Sequence, residues 1–301
     1  MTGLLVMAYG TPRSLDDVEG YLTHIRGGRP PSVDQVHHLQ ERYRRIGGRS
    51  PLDDITRAQA TALAAHLRRG GWPVRPYVGY KHAAPWIADA VAQMAADGLR
   101  TAVGLVLAPH YSRLSVGAYL QDASAAAREA GIALRCIPHW HDHPGFVEAV
   151  ASRVRQARQD LPDGVVIFTA HSLPSRILSW GDPYPDQLAR TCALVAERAA
   201  LREWILAYQS ASPTGEPWLG PDLRDVLVDL ARAGSRSAIV CPVGFVADHL
   251  EVLYDIDVEA RQVADELGLR LARTRSLNAD PDAVAVLADV VASALDEGET
   301  R

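Results

Sequence analysis

Short apolar runs alternate along the chain with longer segments of helical period, the pattern of βα units feeding a mostly parallel sheet. Eight runs read as strands. Four lie in the first half, at 3–9 (GLLVMAY), 74–80 (VRPYVGY), 102–109 (AVGLVLAP) and 132–138 (IALRCIP). Four follow at 164–170 (GVVIFTA), 204–210 (WILAYQS), 237–245 (SAIVCPVGF) and 269–275 (LRLARTR). Between them, segments such as ITRAQATALAAHLRR, PDLRDVLVDLARA and the stretch from His249 to Leu267 carry apolar residues at i, i+3, i+4 and i+7. The four-plus-four count predicts an α/β chain of two similar doubly wound domains, each with a four-stranded parallel sheet. The first spans 1–140 and the second 141–301. Right-handed crossovers gather the strand C-termini on one edge, so a ligand cleft is expected there, between the domains. One stretch breaks the rhythm: about 11–72 holds enough chain for two or three helices instead of one, and reads as a helical lid insertion.

The chain has 301 residues, 48% hydrophobic and 22% charged, the balance of a globular protein with a large core. Its 31 basic residues against 36 acidic ones give a net charge of −5, which offers no overall attraction for a nucleic-acid backbone. An anionic ligand therefore needs a local basic patch, and with Lys81 the sole lysine that patch must be built of arginine. Cys136, Cys192 and Cys241 are odd in number and far apart, forming neither a disulfide framework nor a C-x-x-C motif. MTGLLVMAYG lacks a basic signal-peptide start, and no apolar run approaches the ~18 residues of a membrane span. A cytoplasmic protein without stable membrane insertion is expected.

Candidate chemistry falls where two strands of the second half end. The run at 164–170 leads directly into His171, on the edge where α/β sites form. The run at 237–245 leads into VADHLEVLYDIDVEA. If a helix starts near Asp248, Glu251, Asp255 and Glu259 stack on one of its faces at i, i+4 and i+8. Such a column is either a solvated helix face or the lining of a cleft. As hard oxygen ligands the carboxylates suit Mg²⁺ or passing Fe²⁺, and an imidazole adds affinity for first-row transition metals. HWHDH at 139–143 offers three more histidines, but the flanking prolines make it an irregular, exposed loop. No P-loop, G-x-G-x-x-G or G-x-S-x-G motif follows a strand, which argues against nucleotide or serine-esterase chemistry.

The segments LLVMAYGTP, RYRRIGGRSPL, YKH, LAPHYS, FTAHSLP, GDPYPDQL, WLGPD and PVGFVADHLEVLYDID, in that order, resemble the ferrochelatases, most closely the coproporphyrin III ferrochelatases of Gram-positive bacteria. The resemblance runs from Leu4 to about Glu259. It implies a class II chelatase-like fold of two Rossmann-like domains with the active site in the cleft between them, and a lyase that inserts ferrous iron into coproporphyrin III in haem biosynthesis. By the same resemblance His171 and Glu251 are the catalytic pair and the ferrous site, with Asp255 and Glu259 a relay or auxiliary cation site for Mg²⁺. Arg26, Arg42, Tyr43 and Ser50 match porphyrin-contacting positions, where arginine forks suit the substrate's propionates. Tyr9 and Tyr119 match product-contacting tyrosines. Arg26 is followed by Gly27 where relatives can carry a second arginine, so Arg29 is the candidate replacement. With no cysteine beyond Cys241 a [2Fe–2S] cluster is not expected, nor is an organic cofactor. The polar first segment of the insertion favours the tetracarboxylate porphyrin. The expected partners are that small molecule and, transiently, neighbouring haem-pathway enzymes, with no nucleic acid. A cobalt or sirohydrochlorin chelatase and a non-catalytic porphyrin carrier are the alternatives.

Overall fold

The computed structural model describes residues 1–212 and 214–299, and the chain folds as two compact units. The first, from Met1 to Trp140, runs β1 (Thr2–Ala8), α1 (Val18–Ile25), α2 (Val33–Arg45), α3 (Leu52–Arg69), β2 (Val74–Tyr80), α4 (Ile87–Ala96), β3 (Thr101–Val106), α5 (Val116–Glu129) and β4 (Ala133–Ile137). Its sheet is parallel throughout, in the order β2-β1-β3-β4. β1 is buried along nearly its whole length, as a central parallel strand covered on both faces must be. On one face Leu5 and Met7 pack with Val91, Met94, Val106 and Val116. In the expected insertion, α1 and α2 are the added pieces and α3 is the β1-to-β2 crossover. Ser32 and Gln35 form a capping box at the start of α2, each side chain bonding the other's main-chain N–H at 3.3 and 3.0 Å.

The second unit covers His141–Leu277: α6 (Pro144–Asp160), β5 (Val165–His171), α7 (Tyr184–Arg198), β6 (Trp204–Gln209), α8 (Leu223–Arg232), β7 (Ser237–Cys241), a π-helix over Val252–Ala260, α9 (Arg261–Glu266) and β8 (Arg270–Arg273). Its parallel sheet repeats the first one's order as β6-β5-β7-β8. Ile167 and Val240 pack with Leu227, Val252 and Ile256, so the inner side of the π-helix is part of the sheet's cover.

Three expectations change. The second half does not keep its C-terminus: α10 (Pro281–Glu299) belongs to the first unit, where it packs on α3. Ala283, Val284, Leu287 and Val291 are buried, Gln59 donates to the Asn278 carbonyl at 2.8 Å, and Arg135 donates to the Ala294 carbonyl at 2.9 Å. HWHDH is irregular as expected but only partly exposed: His139 and Asp142 face solvent, and the residues between them do not. Trp140 and His141 are buried, the Thr191 hydroxyl donates to the His141 carbonyl at 2.8 Å, and His143 caps α6 through Nδ1. The helix carrying Glu251 starts at Leu250, not Asp248, and widens to π geometry two residues later. Asp248 instead accepts from Ser276 Oγ at 2.7 Å and Arg273 Nη1 at 3.1 Å. Among the described residues no helix is long and apolar enough to cross a membrane.

Candidate active site

In the second unit the chain order reverses between β5 and β7, so the crevice beyond their carboxyl ends is where this topology places ligands. His171 is the last residue of β5, paired with Gln209 of β6. Its Nδ1–H donates to the Ser172 carbonyl, and the Tyr184 hydroxyl donates to the carbonyl of His171 itself at 2.9 Å. With Nδ1 committed, Nε2 is left to face Glu251 Oε1 at 3.4 Å. The loop leaving β7 can close on this strand end because Gly244 has no side chain. A Cβ there would lie 2.5 Å from the Ala170 Cβ.

Glu251 sits between two imidazoles, since His249 Nε2 approaches its other oxygen at 3.6 Å. Its main chain is fixed as well, by Gln209 Nε2 donating to the Glu251 carbonyl at 2.9 Å. Burial alone would depress the His171 pKa, but the Glu251 carboxylate overrides it and raises the value to about 9. Burial would raise the pKa of Glu251, yet the charge and hydrogen bond of His171, with His249 adding to them, hold it well below the usual carboxylate range. Near neutrality the couple is an imidazolium facing a carboxylate. Such a couple can hold a proton or a divalent cation but not both at Nε2, because a cation that takes the Nε2 lone pair must displace the proton.

Beyond Glu251 the helix makes i→i+5 bonds, Arg261 N–H reaching Ile256 O. A turn then takes between four and five residues, so Glu251, Asp255 and Glu259 stay on one face. The middle carboxylate is no solvated group. Asp255 is 8% exposed and accepts from the Ser210 hydroxyl. Arg224, held by Asp222 at 3.0 Å, feels the charges of Glu259 and Asp255. The opposite face is pinned by Arg273, whose Nε and Nη2 grip the two oxygens of Asp257 at 2.8 and 2.9 Å.

The remaining candidates lie in the first unit. Tyr9 follows β1 at the corresponding reversal point of that sheet and is 42% exposed. Its ring packs on His82 at 4.5 Å, and its carbonyl accepts from the His82 N–H at 2.9 Å. His82 in turn meets His24 Nδ1 to Nδ1 at 2.9 Å, with His24 stacked on Trp86. Tyr43 is buried, its hydroxyl 3.0 Å from Thr11 Oγ1, and buried Ser50 accepts from the Leu52 N–H at 3.2 Å. Arg26 and Arg29 brace one turn, each Nε donating to the other's carbonyl at 3.3 and 3.2 Å around Gly27 and Gly28. Arg42 is half-buried on α2. Tyr119 lies buried on α5 under Lys81, whose ammonium is 5.4 Å from the ring centre and 2.9 Å from Asp122.

The model of the Ferrochelatase family matches residues 1–295. The chain belongs to that family. It is 45% identical to a ferrochelatase of Herpetosiphon aurantiacus, over 96% of this chain and 98% of the relative. It is 47% identical to the coproporphyrin III ferrochelatase of Geobacillus kaustophilus, over 96% and 94%. Among solved structures it is similar to SirB of Bacillus subtilis with Fe³⁺, at a TM-score of 0.61 and 11% identity, covering 100% of this chain and 98% of that one. The SirB of the subspecies spizizenii, a sirohydrochlorin chelatase in complex with cobalt, gives a TM-score of 0.57 at 13% identity, again over 100% and 98%. At these identities the likeness is one of fold, and it agrees with the paired four-stranded sheets.

In this member of the ferrochelatase family, sequence reasoning picked out His171 and Glu251 but missed their supports. His249, Gln209 and Tyr184 reach the pair from a loop, a strand end and the start of α7, and Ser210 reaches the neighbouring Asp255. Only His249, two residues before Glu251, carried a local signal.

Proposed function

We propose that this protein inserts ferrous iron into coproporphyrin III, giving Fe-coproporphyrin III and two protons in haem biosynthesis. The observation that carries the reading is the His171–Glu251 couple, Nε2 3.4 Å from Oε1, at the carboxyl end of β5 in a ferrochelatase-family chain. The reaction needs a group that holds a divalent cation and a group that accepts pyrrole protons. An imidazole with Nδ1 tied to a carbonyl presents only Nε2 for either task. A carboxylate kept ionised between two histidines supplies a hard anionic ligand next to it. In this reading Fe²⁺ displaces the shared proton and is passed to the ring, and the vacated pair takes up a proton in return.

Asp255 and Glu259 extend the pair as a relay or an auxiliary Mg²⁺ site. Arg26, Arg42, Tyr43 and Ser50 meet the propionates, and Tyr9 and Tyr119 contact the macrocycle. The preference for coproporphyrin rests on the names of the curated relatives, the Geobacillus kaustophilus protein among them, and on the polar character of the first inserted segment. A cytoplasmic location, with transient contacts to enzymes handling the same porphyrins, fits that substrate.

The test is anaerobic mixing of Fe²⁺ with coproporphyrin III, followed by absorbance. The unmodified protein should produce the iron-porphyrin spectrum over many turnovers, and protoporphyrin IX should react more slowly. His171→Ala should lose at least about 100-fold in rate, the usual worth of a positioned acid–base group, with porphyrin affinity retained. No turnover by the unmodified protein would sink the reading.

A further inference from the structure

Two of the segments that carry the family resemblance, FTAHSLP and WLGPD, meet just beyond His171. The chain leaving β5 runs through Ser172, Leu173, Pro174 and Ser175, and the 217–219 stretch lies antiparallel to it. Ser175 N–H donates to the Pro217 carbonyl at 2.8 Å, Leu219 N–H donates to the Leu173 carbonyl at 2.9 Å, and Pro174 pairs with Trp218 between them. Ser172 opens this short ladder. It is 1% exposed, its hydroxyl donates to the Leu219 carbonyl at 2.7 Å, and its N–H donates to the Gln209 carbonyl at 2.8 Å. Its own carbonyl is the acceptor for His171 Nδ1–H.

We infer that Ser172 is a positioning residue for His171, and that the 217–219 segment holds Ser172 so that its carbonyl fixes which ring nitrogen faces Glu251. This rests on the reading of His171 as the residue that serves the iron. The two nitrogens of an imidazole are distinct, and the hydrogen bond that one makes decides which is left for the chemistry. A carbonyl can impose that choice only if its own peptide plane is held. The plane before the Ser172 Cα is pinned at both ends, by the Tyr184 hydroxyl donating to the His171 carbonyl at 2.9 Å and by the Ser172 N–H donating to Gln209. The plane after it carries the carbonyl that the ring uses. The Ser172 hydroxyl on one side and the Leu173 carbonyl on the other bracket that plane, and both are bonded to the main chain of Leu219. A segment 47 residues further along the chain thereby governs the heading of His171 through Ser172.

Ser172→Ala removes the hydroxyl and keeps the carbonyl, whereas Ser172→Thr keeps both. The decisive measurement is proton–nitrogen NMR of protein labelled with nitrogen-15 histidine, without metal or porphyrin. The His171 Nδ1–H signal is assigned by its absence from His171→Gln. In Ser172→Ala it should exchange with water about ten-fold faster, the worth of one lost hydrogen bond, and Ser172→Thr should restore the slow exchange. With Fe²⁺ and coproporphyrin III, Ser172→Ala should lose about ten-fold in kcat while KM for coproporphyrin moves less than about two-fold, as a misaimed ring requires. Should Ser172→Ala not fold, Ser175→Pro loosens the same ladder by deleting the N–H bonded to Pro217, and Pro174 already has the φ of −54° and ψ of 130° that a following proline demands. If the Nδ1–H signal exchanges at the original rate in the variant, the ladder only closes a loop and the inference is wrong. Faster exchange with an unchanged kcat overturns it as well, because the heading of the ring would then not matter. Should the unmodified protein insert no iron, the proposed activity fails, and the NMR comparison still decides whether Ser172 holds His171.

Discussion

The most informative residues are those whose protonation the fold has moved. His171 ends near 9 against an ordinary value of 6.5, so the folded state holds its proton more tightly than the unfolded chain. The stabilisation this gives is fully present below about pH 6.5 and is lost as the pH rises through 9. Glu251 sets the acid limit: its folded pKa is depressed, so its contribution exists above the usual carboxylate range and fades as the pH falls. His82 behaves in the opposite sense to His171. Burial first, then the neighbouring His24 and Lys81, push its pKa down to about 4, so its contribution is lost as the pH falls from 6.5 through 4. Thermal melts of the unmodified protein and His171→Gln should therefore differ most near pH 6 and converge by pH 9.5. A gap that widens with pH would contradict the pairing. Both members were legible in the sequence as candidates, because a histidine at a strand end and an acidic helix after another strand are local patterns, whereas their pairing came from the family resemblance. Ser210 and Gln209 were not. Their roles arise from contacts to Asp255 and Glu251, more than 40 residues on, and nothing in WILAYQS marks them.

Among the elements, the strands were readable to within a few residues, since a buried parallel strand is written as one unbroken apolar run. The ends are where the reading slipped. The run at 237–245 stops pairing after Cys241, and its second half becomes a turn that folds over β5. Gly244 N–H donates to the Thr169 carbonyl at 3.0 Å within that turn. The π-helix was illegible for a different reason. Over nine residues, a period of 3.6 and one slightly above four place nearly the same side chains inward, so apolar spacing cannot separate them. What the wider turn achieves is an acidic face and an apolar face together, with Val252, Ile256 and Ala260 buried behind the carboxylates. Gly244 tests how tightly the β7 turn is joined to the β5 end. A Cβ there would meet the Cβ of Ala170 at 2.5 Å and its Cα at 2.8 Å, too close without moving the residue before His171. Gly244→Ala should cost about 1–3 kcal/mol in denaturant unfolding, as overpacking commonly does. It should also lower the iron-insertion rate more than it weakens porphyrin binding. Wild-type stability and rate in that variant would show the close approach to be slack.

At the level of the whole chain, the four-plus-four pattern of apolar runs gives two four-stranded sheets, whose shared order, β2-β1-β3-β4 and β6-β5-β7-β8, puts His171 and Tyr9 at the ends of equivalent strands in their own sheets. The last helix is the exception. An amphipathic segment states that it needs an apolar partner, not which one, and simple chain order assigned it to the second half. The fold returns it to the first unit, where it covers α3 and bonds Arg135 of β4. The first unit therefore depends on residues that follow the whole second unit in the chain, and its core is complete only when Pro281–Glu299 has docked. Leu287 is 3% exposed in that helix, and Leu287→Ala should destabilise the protein by about 2–5 kcal/mol, the range for emptying a buried leucine site. Because the lost contacts belong to one unit, amide hydrogen exchange should show where the damage lies. Protection should fall in α3, β3 and β4. A loss confined to β5, β6 and β7 would mean that the helix supports the second sheet, and that its placement with the first is wrong.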